Sequence, residues 1–142
     1  MPDVKISTWS NSTPLDETGI IDLYNSVGWT AYTDHLDSLF EGLRKSLRVV
    51  LAHRDGQLVG LARIIGDGAT ICYLQDVLVH PDARRQGLGQ ALVHMAFAPY
   101  EGVRQHVLIT DEEPGQKAFY EAIGFTQLGA ATPGRAFVRF NP

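Results

Sequence analysis

The chain has 142 residues, 44% of them hydrophobic and 20% charged, which suits one soluble domain with its own core. A net charge of −4 with no basic cluster argues against nucleic acid as the main partner, and no apolar run approaches the roughly 20 residues that span a bilayer, so no membrane partner is expected. One cysteine, Cys72, leaves no internal disulfide or multi-cysteine metal site; it reads as a small apolar residue within a strand, and no metal is expected.

Residues 4–9 read as a first strand. Thr13-Pro14, followed by Asp16 and Glu17, predicts a helix start: a capping hydroxyl, proline at the first position, then acids near the positive helix end. Ile20, Leu23, Tyr24 and Val27 give that helix one apolar face, and Gly28 ends it. A second helix is predicted from Thr33 or Asp34 to about Lys45, with Leu36, Leu39, Phe40 and Leu43 repeating the spacing. Residues 48–53 and 57–65 are strands joined by a tight Asp55-Gly56 turn, and a third follows at 71–79 until His80-Pro81 stops it. Then come a helix over 87–98, a short buried strand over 106–110 and a helix over 115–123 capped by Gly124; residues 125–128 and 136–140 read as a closing strand pair. The fold class is single-domain α/β over 1–142: a mixed, mainly antiparallel sheet flanked by helices, in which one crossover makes the strands around it parallel neighbours. The first residues lack the basic start and apolar stretch of a signal peptide, so the cytoplasm is the expected location.

Arg84-Arg85-Gln86-Gly87-Leu88-Gly89 lies directly between a predicted strand and a predicted helix. The first turn of a helix carries free N–H groups and partial positive charge, and glycines let a phosphate come close. A Walker loop would need Gly-Lys-Ser/Thr, which is absent, and the third glycine of a dinucleotide fingerprint is here Leu92.

Gln75-Asp76-Val77-Leu78-Val79-His80-Pro81, with the Arg84-to-Gly89 run, resembles the acyl-CoA signature of the GNAT superfamily of N-acyltransferases: Gln/Arg-x-x-Gly-x-Gly/Ala after a strand ending in an apolar triplet and a proline. Phe119-Tyr120-Glu121-Ala122-Ile123-Gly124-Phe125 resembles that family's second signature, and the order of elements matches from about residue 4 to 140. Residues 60–89 resemble bacterial and plastid members linked to arylalkylamine acetylation.

The resemblance implies a GNAT-like fold with acetyl-CoA as acyl donor. The strand bearing Val77, Leu78 and Val79 would splay from its parallel neighbour, and the pantetheine arm would pair with those three residues as an added strand. A bulge is expected near Val77, and the N–H of Val77 or Leu78 would polarise the thioester carbonyl. Arg84, Arg85, Gln86, Gly87, Leu88, Gly89 and Gln90 would hold the pyrophosphate, and Tyr120 would protonate the departing thiolate. Glu113 stands where many members carry an asparagine. Dimers are frequent among relatives, so a homodimer is an expectation by analogy.

The attacking amine must be a free base, although an alkyl ammonium has a pKa of about 10. Asp76 is the one carboxylate on the strand before the motif; it reads either as the base or as a bulge residue bonded to nearby backbone N–H groups. Tyr73 and Gln75 alternate onto the other face of a regular strand, at positions where the resemblance places acid–base residues; relay through water is the alternative. His80 and His94 read as surface or capping residues. Trp29 and Tyr32 form either an apolar or cation-binding wall for an amine or ordinary loop packing, and Arg63 either reads an acidic group or faces solvent or pairs structurally. The leading expectation is acetyl transfer to a primary amine of a small molecule. Acetylation of a protein N-terminus or lysine, and a non-catalytic acyl-CoA sensor, are the alternatives.

Overall fold

The computed structural model describes residues 3–129 and 131–141. The elements follow as β1 (Val4–Trp9), α1 (Glu17–Ser26), α2 (Thr30–Thr33), α3 (Leu36–Lys45), β2 (Arg48–Arg54), β3 (Gln57–Gly66), β4 (Ile71–Val79), α4 (Leu88–Phe97), β5 (Gln105–Leu108) and α5 (Pro114–Ala122). The strands form one sheet in the order β1-β2-β3-β4-β5. Its first four strands pair antiparallel; β4 and β5, joined through α4, are parallel. Asp55 and Gly56 both take positive φ, 52° and 78°, which turns β2 straight into β3.

Two register slips shape the sheet. His53 pairs with Leu58 but Ala52 with Gly60, leaving Val59 as an extra residue in β3. Arg63 pairs with Asp76 but Ile64 with Leu74, leaving Gln75 extra in β4, close to the expected bulge. On one face Ile20, Leu23 and Tyr24 of α1 and Leu39, Phe40 and Leu43 of α3 pack with Val49, Leu58, Leu61 and Leu78. Gly60 alternates with Leu61 and so belongs to the other face, where α4 lies: a Cβ on Gly60 would stand 2.8 Å from Leu92 Cδ1 and 3.4 Å from Leu88 Cδ2. A glycine there lets α4 sit down on the sheet.

The helices depart from the sequence reading in detail. The cap of α1 is Asp16, whose carboxylate accepts the Gly19 N–H at 3.0 Å, not Thr13. The second helix, α3, begins at Leu36 rather than Thr33 or Asp34 because His35 takes φ −137°, ψ 66°, and a short helix not expected from the sequence, α2, precedes it. α1 ends in a Schellman motif on Gly28 (φ 79°), with Gly28 N–H on Asn25 O and Trp29 N–H on Tyr24 O.

The chain divides into two compact units, one reaching to Ile109 and the other beginning at Thr110. Within the second, α5 closes on Gly124 (φ 100°) in another Schellman motif: Gly124 N–H bonds Glu121 O, and Phe125 N–H bonds Tyr120 O. The closing strand pair is not there. Among the described residues that unit has a single bridge, Leu128 with Thr132, and Phe137 and Phe140 are 89% and 88% exposed. Gly129 and Gly134 take φ of 90° and 140°, and Pro133 lies between them, so the chain turns rather than continuing a ladder.

Candidate active site

The ladder between β4 and β5 runs only from Ile71↔Gln105 to Leu74↔Leu108. Beyond Leu74, the edge of β4 on the β5 side has no strand partner among the described residues. The register on the β3 side identifies which groups face this open edge. His80 N–H bonds Val59 O at 2.8 Å, so the hydrogen-bonded pairs continue as Leu61–Leu78 and Arg63–Asp76. Leu78 therefore spends its backbone groups on β3. Val77 and Val79 turn theirs outward, and Arg84 Nε reaches the Val79 carbonyl at 3.4 Å.

The strand then passes through a short 3-10 turn, Pro81–Ala83, anchored by the buried Ala83 and capped by His80, whose ring accepts the Asp82 N–H. Beyond this turn the chain presents a run of N–H groups without backbone acceptors. Arg85 and Gly87 take positive φ, 65° and 75°, and the first residue of α4 whose N–H finds an acceptor is Ala91, on Gly87 O at 3.1 Å. Among the described residues the N–H groups of residues 85–90 bond to no acceptor. Left-handed residues alternating with others in this way make a concave, anion-binding nest, here opening the positive end of a helix. Arginine in the left-handed region costs about 1–2 kcal/mol, so the loop stores strain at this point. Arg84, Arg85, Gln86 and Gly87 are exposed, and nothing stands within 4 Å of a Cβ placed on Gly87. The other end of α4 is tied down, with Arg48 Nε on Met95 O at 3.1 Å.

On the α1–α3 face of β4 lies a buried polar cluster. Asp76, 3% exposed, takes Arg63 Nε at 2.6 Å and Tyr24 OH at 2.9 Å on Oδ2, and Tyr32 OH at 2.8 Å on Oδ1. Gln75 Nε2 donates to Tyr32 OH at 3.0 Å, and Arg63 Nη1 to Ser46 Oγ at 3.3 Å. Burial, then the charge of Asp76, holds the Tyr24 phenol well above its ordinary pKa and raises that of Tyr32, so both keep their protons and donate. Trp29, 36% exposed, completes an aromatic group, with ring centroids 6.1 Å from Tyr24 and 6.2 Å from Tyr32.

The bulge decides the membership of this cluster. In a regular strand Gln75 and Tyr73 would face away from Asp76; the extra residue puts Gln75 beside Asp76 and returns Tyr73 to the same face, paired with Ile65. This corrects the simple alternation read from sequence. Tyr73 is half-buried, and burial raises its phenol pKa. Asp76 bonds side chains rather than the backbone N–H groups considered for it. Arg63 takes the structural alternative, as the partner of Asp76. Sequence reasoning assigned Tyr24 only to an apolar helix face. Its signal was its hydroxyl, which a core position must satisfy; Arg63 and Asp76, each amid apolar strand residues, were a matching signal.

In the second unit, Tyr120 is buried on α5 between Phe119 and Phe125, at ring distances of 5.0 and 6.0 Å. Burial, and then Asp111, pushes its phenol up to about 12. Glu113 opens α5 without a side-chain capping bond, followed by Pro114. Cys72 is buried, and burial raises its thiol.

Known proteins share the fold. Residues 45–127 match the acetyltransferase (GNAT) domain family. A GNAT-family acetyltransferase of Streptococcus pneumoniae TIGR4 superposes with a TM-score of 0.82 at 28% identity, covering 98% of this chain and 100% of that one. A GNAT-family protein of Xanthomonas campestris pv. campestris is 31% identical, with a TM-score of 0.70 over 96% of this chain and 95% of its own. Serotonin N-acetyltransferase 2, chloroplastic, of Oryza sativa subsp. japonica is 29% identical over 91% of this chain, which spans 66% of the rice protein's length. The chain belongs to the GNAT family of acetyltransferases. No helix among its described residues is long and apolar enough to cross a membrane.

The buried cluster predicts a graded loss of stability. Asp76→Asn leaves the Arg63 cation without its counter-charge and should cost about 3–5 kcal/mol. Tyr24→Phe removes one of three donors and should cost about 1–2 kcal/mol. Urea unfolding midpoints check the order; equal losses would mean that the ion pair is not what the cluster is built on.

Proposed function

We propose that this protein transfers the acetyl group of acetyl-CoA directly to the primary amine of a small molecule. One observation carries the reading: the unpaired edge of β4 at Val77 and Val79 leads, within a few residues, into the unsatisfied N–H groups that open α4. An extended arm ending in a diphosphate matches that sequence of groups. The pantetheine amides pair with Val77 and Val79 as a short added strand, displacing Arg84 from the Val79 carbonyl. The pyrophosphate accepts N–H groups from the Arg85-Gln86-Gly87-Leu88-Gly89-Gln90 run, with Arg84 and Arg85 adding charge at its flank. Of the two candidate oxyanion donors, the register favours Val77, since the N–H of Leu78 is committed to β3.

The amine attacks the thioester carbonyl, its electrons forming the C–N bond as the carbonyl oxygen takes negative charge. Collapse expels the thiolate of CoA, to which Tyr120 gives its proton, while the nitrogen, cationic after attack, releases its second proton to water and the Tyr120 phenolate takes one back from water. A phenol raised to about 12 stays protonated throughout the neutral range, as an acid must before it acts. Asp76, buried and holding three donors, anchors Tyr32 in this reading, and the proton of the incoming ammonium leaves through water. Trp29, Tyr32 and Tyr73 supply an aromatic surface for the acceptor, and the likeness to a serotonin N-acetyltransferase supports an arylalkylamine.

Two substitutions test the two halves of the reading. Gly87→Glu puts a negative side chain into the nest; it should abolish acetyl-CoA binding in calorimetry while circular dichroism stays native, less about 1–2 kcal/mol for the left-handed backbone. Retained affinity would refute the pyrophosphate site. Tyr120→Phe should lower kcat by about a hundredfold or more at neutral pH with acetyl-CoA binding unchanged. A rate unaffected at every pH would remove Tyr120 from the mechanism.

A further inference from the structure

We infer that the side-chain oxygen of Gln75 is the acceptor that fixes the amine of the substrate, and that the chain Arg63–Asp76–Tyr32 sets the direction of that oxygen. This rests on the acetyltransferase reading above. Hydrogen-bond polarity propagates along the chain. A guanidinium only donates and an ionised carboxylate only accepts, so Arg63 fixes Asp76 as an acceptor at 2.6 Å. Tyr32 has one hydroxyl proton, and it goes to Asp76 Oδ1 at 2.8 Å. The Tyr32 oxygen, its proton spent, meets the Gln75 amide at 3.0 Å as an acceptor. Only the NH₂ end of the amide can serve it; a flipped amide would set oxygen against oxygen with no proton between them. Oε1 is therefore turned away from Tyr32.

That oxygen has no protein donor among the described residues, and none of their buried side-chain polar atoms lacks a partner, so Oε1 is open to solvent. Gln75 is half-buried, as a fixed group at a surface should be. The result is a single acceptor of fixed direction next to the partly exposed rings of Tyr32 and Trp29. It suits a ligand with an N–H donor attached to an aromatic or apolar body. It offers nothing to a carboxylate, which would meet oxygen with oxygen. The bulge is part of the device, because only the extra residue places Gln75 and Asp76 on one face. Gln75 is thus a positioning and specificity residue; no proton passes through it.

The test is steady-state kinetics with acetyl-CoA and serotonin as the probe acceptor. Gln75→Met keeps the volume and removes both polar atoms. It should raise KM for serotonin about tenfold or more, the loss of one hydrogen bond to a charged or polar group, with KM for acetyl-CoA and the melting temperature nearly unchanged. Tyr32→Phe frees the amide to flip and should raise the same KM. The double variant should be little worse than Gln75→Met alone, because both changes break one chain. An unchanged serotonin KM in Gln75→Met, or effects of the two changes that multiply independently, would overturn the inference while leaving the acetyltransferase reading intact. A wild-type protein that binds acetyl-CoA but acetylates neither serotonin nor 2-phenylethylamine would overturn the arylalkylamine reading, and the inference with it.

Discussion

β4 contains one residue more than β3 has partners for, and the consequences of Gln75 run through the whole site. Side chains alternate along a strand, so an added residue exchanges the faces of everything on one side of it. Here Leu74 pairs with Ile64 while Asp76 pairs with Arg63 on the face of α1 and α3. The same slip leaves Leu78 bonded to β3 and turns the backbone of Val77 and Val79 toward the side where β5 has already ended. Which groups face the open edge, and which side chains join the buried polar cluster, both depend on that one insertion.

A bulge weakens a ladder and is held only if its surroundings determine it. Asp76 does this through three donors from three elements: Arg63 in β3, Tyr24 in α1 and Tyr32 in α2. The bonds bridge as many as 52 positions of sequence, so α1, α2 and the bulged strand are fixed by one carboxylate. The strain at Arg85 is of the same kind on the other side of the strand's end. In both places the chain departs from regular geometry where exposed or convergent polar groups are gained.

Much of the architecture was legible in the sequence, because local chemistry dictated it. Asp55-Gly56 could only turn, Gly28 and Gly124 could only end helices, and the apolar spacing of α1, α3 and α4 left one face for the sheet. The motif from Gln75 to Gly89 was legible from its glycines and its place between strand and helix. The features that escaped depend on distant partners. Nothing near Tyr24 in sequence says that its hydroxyl meets Asp76, and nothing near Tyr73 says that the face of its strand has been exchanged. The start of α3 is set by the local dihedrals of His35, which the apolar spacing from Leu36 onward does not report. Residues 136–140 look like a strand by composition, yet the positive-φ glycines before them turn the chain away from pairing. Propensity does not guarantee a partner.

Backbone amide exchange measured by NMR with and without CoA addresses the central claim directly, since it reads individual N–H groups. Saturating CoA should slow exchange at Val77 or Val79 and across residues 85–90, and leave Leu78, already bonded to Leu61, nearly unaltered. Protection confined to other parts of the chain, with residues 85–90 still exchanging freely, would contradict the account.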